Sequence, residues 1–79
     1  MHDVSSFIDE LAKAAGSSER MREMIADAAD ISVSGPMISM WKRRGIPWPV
    51  HDPMRRVCAQ LGLPADPVVW RRVRSEEAA

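Results

Sequence analysis

Seventy-nine residues with a formal net charge of zero make one domain at most. A chain this short buries only about 60–65% of the surface its unfolded form exposes, so its core is thin and a second copy would help it. Lone Cys58 excludes an internal disulfide, no Cys/His group has zinc-ligand spacing, and no apolar run approaches the roughly 20 residues of a membrane span.

Apolar residues recur at helical spacing along nearly the whole chain, which predicts an all-α, compact domain of four to five helices over residues 1–74 with a frayed tail at 75–79. A first helix is expected from about Val4 to Ala15, capped by Asp3 or Ser5 and stopped by Gly16. Ser17 or Ser18 caps a second, whose inner face is Met21, Met24, Ile25, Ala28 and Ala29. Ile31–Gly35 reads as a break, and a third helix runs from about Pro36 to Arg44, ended by Gly45. Pro47 and Pro49 forbid a regular helix over Ile46–His51. Asp52-Pro53 is a start signal for a fourth helix carrying Met54, Val57, Cys58 and Leu61 inward, closed by Gly62 and Pro64. Asp66-Pro67 repeats that signal before Val68–Val73, a segment whose composition suits a short helix or a strand.

Charge is unevenly distributed. Residues 1–30 hold seven acids against Lys13, Arg20 and Arg22, whereas residues 31–74 hold eight bases against Asp52 and Asp66. Such a dipolar chain can turn a basic face to phosphates while its acidic face points away, although an ordinary solvated surface has the same composition. The acidic start, MHDVSSFIDE, lacks the basic-then-apolar order of a secretory signal, so a cytoplasmic protein is expected.

Met24–Arg44 carries the functional information. Two helices joined by a tight turn need a small residue where they cross, and Ala28 supplies it. Ile31 and Val33 are spaced to be buried on either side of the bend, and Ile38 and Trp41 to return to the first helix of the pair. An αα-corner with a good core satisfies the same five constraints; a helix-turn-helix over residues 24–44 satisfies them and adds the Lys42-Arg43-Arg44 cluster.

The run Val33-Ser34-Gly35-Pro36-Met37-Ile38-Ser39-Met40-Trp41-Lys42-Arg43-Arg44-Gly45-Ile46-Pro47 resembles the recognition helix and following loop of phage Cro/CI-type (lambda-repressor-like) DNA-binding proteins, and most of all the small Cro-like regulators. Gln60-Leu61-Gly62, at the end of the fourth helix, resembles theirs too, and the likeness spans roughly residues 18–63. It implies a lambda-repressor-like domain that binds double-stranded DNA with its third helix in the major groove. Two departures stand out. The family's turn glycine is Ser32 here, which is expected either to adopt the left-handed conformation, at about 1 kcal/mol, or to reshape the turn. The helix start is Gly35-Pro36, neither of which makes a bidentate base contact; Gly35 is expected as the cap and Pro36 as the first helical residue.

Base reading then falls to Arg43, Ser39 and Met40, with Met37 at the edge. Arg43 is the side chain here that can bond guanine O6 and N7 together, worth about 1–3 kcal/mol of discrimination. Ser34, Gly35, Lys42 and Arg44 suit the backbone phosphates, and Arg55 and Arg56 suit either a second backbone clamp or solvent. Trp41 is read as core, as is Cys58, while His2 and His51 are read as surface residues. Trp48, between two prolines, is a lid on the core or part of a partner surface. Val68, Val69, Trp70 and Val73 form a large apolar cluster for a terminal segment, expected as a dimer interface, with folding back over the first helix as the alternative.

The expected function is a sequence-specific regulator of phage or bacterial type, acting as a homodimer on a palindromic operator and most simply repressing by occlusion. The rival is a protein-interaction module, antitoxin- or inhibitor-like, that keeps the fold without reading DNA. No acid/base pair, activated nucleophile, metal set or phosphate loop suggests an enzyme, a cofactor or a small-molecule effector.

Overall fold

The computed structural model describes residues 3–72, and its regular structure among them is entirely helical: α1 Val4–Ala15, α2 Ser18–Ala29, α3 Gly35–Arg44, α4 His51–Leu61 and α5 Pro67–Trp70, with a 3-10 turn at Trp48–Val50 leading into α4. The expected all-α class holds, and the segment after Pro67 is one helical turn rather than a strand. Local chemistry sets the boundaries. Asp3 Oδ1 accepts the Ser6 N–H at 2.9 Å, Ser17 Oγ the Arg20 N–H at 3.0 Å and Ser34 Oγ the Met37 N–H at 3.3 Å, each satisfying a donor that the first helical turn leaves free. The third cap therefore falls on Ser34, one residue before the expected Gly35, and Gly35 is already helical.

α4 starts earlier than Asp52-Pro53 suggests. The 3-10 turn runs straight into His51, so Pro53 lies inside the first turn, where its missing N–H would have had no helical partner.

α1 packs against α2, α3, α4 and α5, and α2 also lies against α4. Val4, Phe7, Ile8 and Leu11 of α1 meet Met21 and Ile25 of α2, Ile38 and Trp41 of α3, and Met54, Val57 and Cys58 of α4 in one core. Burial pushes the Cys58 thiol up to about 11, so it stays protonated at neutral pH, as a core residue should.

Trp70 does not belong to the expected dimer interface. It is 0% exposed, with its ring 5.6 Å from that of Phe7 and edge-on to His51 at 5.0 Å. A core this thin uses the largest available side chain for itself, which is the folding-back alternative. Val68 stays 64% exposed, Val69 is half-buried against the core, and Val73 lies outside the described residues. The last segment is fixed at both ends: Ile46 N–H donates to the Trp70 carbonyl at 2.9 Å, and Val4 N–H to that of Arg72 at 2.8 Å. Gly45 permits this approach. Its φ is +96°, and a Cβ there would stand 3.1 Å from the Trp70 carbonyl oxygen.

His51 is likewise buried, not at the surface. Its Nε2–H donates to the Ile46 carbonyl at 2.9 Å, which compensates for placing an imidazole under the Trp48–Val50 turn.

Candidate nucleic-acid interface

The connection between α2 and α3 takes the reshaped form of the two expected. Asp30, not Ser32, takes the left-handed conformation, at φ 56° and ψ 43°. It ends α2, and Ile31 N–H then closes back on the Ala26 carbonyl at 3.2 Å. With the helix closed at that point, Ile31 is left 42% exposed instead of buried, while Ala28 and Val33 pack partly buried on the core as expected. An aspartate in this position combines backbone strain with a negative charge at a helix C-terminus. Asp30→Gly removes both, and a stabilisation of about 0.5–1 kcal/mol is expected in thermal unfolding. An unchanged or lowered melting temperature would argue against this geometry.

Beyond the turn, α3 shows two faces. Ile38 and Trp41 are 8% and 3% exposed and pack inward. Ser39, Met40, Arg43 and Arg44 are exposed on the other side, with Met37 half-buried between them. Met40, at 41% exposure, is an apolar side chain presented to solvent from the middle of that face. Neither Arg43 nor Arg44 has an acidic partner among the described residues.

The predicted phosphate contacts divide. Ser34 and Gly35 sit together at the start of α3, where the helix dipole favours an anion. Arg22, from the acidic half of the chain, stands beside them: a Cβ on Gly35 would lie 3.9 Å from its Nη1. Lys42, by contrast, is occupied, with Nζ 2.8 Å from Asp9 Oδ1 on α1. This exposed pair links α3 to α1 and gives Lys42 an acidic partner with which a phosphate would compete. Arg56 donates to the Ala28 carbonyl at 2.8 Å and shares a cavity wall with Glu23 and Asp27, so it closes the end of α2. Arg55 lies 4.0 Å from Asp52. Of the two expected clamp residues, Arg56 is engaged within the fold, while Arg55 remains exposed with only a long contact to an exposed carboxylate.

A further cation joins the other end of α3. Arg71 lies against Gly45, with its Cα 3.4 Å from where a Cβ would be, and lines an open cavity with Met40, Arg44, Trp48 and His51. Only the folded chain brings residue 71 to residue 44; no sequence spacing could have paired them.

Among the described residues no group of three His, Cys, Asp or Glu side chains is placed to hold a metal ion, and no helix is long and apolar enough to cross a membrane. No protein-family model matches the chain, and no curated protein or solved structure is significantly similar to it.

Proposed function

We propose that the protein is a sequence-specific, double-stranded DNA-binding regulator whose α3 enters the major groove. One observation carries the reading: a helix pinned on its inner face by Ile38 and Trp41 presents Ser39, Met40 and Arg43 outward together, with no acid neutralising the arginine among the described residues. An α-helix fits the major groove, an arginine reads guanine there, and a methionine suits a thymine methyl group. Arg22 with Ser34 and Gly35 at one end of α3, and Arg44 with Arg71 at the other, supply the positioning contacts to phosphates. The resemblance of residues 33–47 to Cro/CI-type regulators points the same way. As a regulator of that phage or bacterial type it would act in the cytoplasm, most simply repressing by occlusion.

Two chains on half-sites about one helical turn apart, roughly 34–36 Å, is the arrangement we propose. Val68, the exposed apolar residue of the last turn, is available to such a contact; Trp70 is not.

Selection from a randomised duplex pool at stepped salt concentrations tests this directly. Enrichment of a defined motif, with affinity falling steeply as salt rises, is the expected result. Failure to enrich any motif would leave the protein-interaction reading in its place.

A further inference from the structure

The cavity at the C-terminal end of α3 has a volume of about 560 Å³, within the range of about 300–1,000 Å³ typical of small-molecule sites. Its wall combines two chemistries. Trp48 is 73% exposed, held between Pro47 and Pro49 in the 3-10 turn and backed by the His51 ring at 5.1 Å. The two prolines restrict the backbone at Trp48 and the His51 ring lies against one side of the indole, which leaves the other face open to a planar ligand. Arg44 and Arg71 bring two positive charges, neither with an acidic partner among the described residues.

We infer that this cavity binds a nucleotide, its base against the Trp48 indole and its phosphate on Arg44 and Arg71. Aromatic stacking and a bidentate arginine partner for an oxyanion are the two contacts nucleotides use wherever a base is free of the duplex. Free nucleotides and nucleotides within a single strand share this chemistry. The inference rests on the cavity and not on the reading of α3, although Arg44 belongs to both. A nucleotide seated there competes with a duplex for Arg44, and by linkage each weakens the other.

In the ¹⁵N-labelled protein, Trp41, Trp48 and Trp70 are expected to give separate indole N–H signals. Adenosine 5′-monophosphate is expected to move the Trp48 signal saturably, and to bind about tenfold or more tightly than adenosine or ribose 5-phosphate. Arg71→Gln, checked for an unchanged melting temperature, should lower nucleotide affinity to that of adenosine, and Trp48→Ala should abolish binding in calorimetry. An oligo(dA) strand forms the second arm: saturation by the mononucleotide or by the strand supports the site and identifies the source. Saturation by neither, or equal affinity for nucleotide and adenosine, overturns it. Arg43→Ala is expected to leave nucleotide binding unchanged, so that this site and the duplex reading fail separately.

Discussion

Trp70→Ala is expected to remove a large share of the folding stability instead of splitting a dimer. Removing a fully buried tryptophan costs about 3–5 kcal/mol, and a chain of this length has a total stability on the order of 4–12 kcal/mol. The neighbourhood offers little relief. Phe7 and His51 contact the ring, while Ile46 N–H and the Trp70 carbonyl hold the backbone in place, so collapse into the space requires α1, the Ile46 loop and α4 to move together. Circular dichroism should show a melting temperature lowered by more than about 15 °C. Val68→Ser, at an exposed position, is expected to melt like the parent. A Trp70→Ala protein that melts normally but sediments at half the parent's mass would contradict the burial and restore the interface.

Arg43→Ala is expected to keep the fold and lose sequence preference. Its side chain is exposed and contributes nothing to the core, whereas a bidentate guanine contact carries about 1–3 kcal/mol, roughly a 5- to 150-fold preference over the wrong base pair. Affinity for random duplex should change little. Lys42→Ala makes the opposite comparison. Lys42 already pairs with Asp9, so its removal should weaken every duplex slightly and alike, through α3 placement and overall charge. Binding curves on a selected and a scrambled duplex distinguish the two variants, and equal losses on both duplexes for Arg43→Ala would contradict its role.

The helix ends were legible wherever a cap is written locally. Asp3, Ser17, Gly16 and Gly62 act through backbone groups within a few residues, and the structure has them at the expected positions. Asp52-Pro53 misled because the same dipeptide chemistry fits any place in a first turn, and the preceding 3-10 turn moved the start back to His51. Asp30 was not legible for a related reason: α2 closes by a bond to the Ala26 carbonyl, and glycine preference is too weak a guide when an aspartate must serve. The inner face of α3 followed from spacing alone. The engagement of Lys42, Arg56 and His51 did not, because Asp9, the Ala28 carbonyl and the Ile46 carbonyl become neighbours only after packing. The same holds for the pairing of Arg44 with Arg71, the feature that most changes the basic end of the interface. Periodicity identifies an apolar cluster such as Val68–Trp70, but it says nothing about whether that cluster covers its own chain or another.

The central claim is that the outer face of α3 meets duplex DNA. Amide and side-chain chemical shifts, followed while a selected duplex is titrated into labelled protein, test it most directly. Ser39, Met40 and Arg43 should shift most, with Arg22, Ser34 and Gly35 at one end of the helix and Arg44 and Arg71 at the other. Shifts centred on Arg55, Arg56 and the outer face of α4, with α3 unmoved, would contradict it.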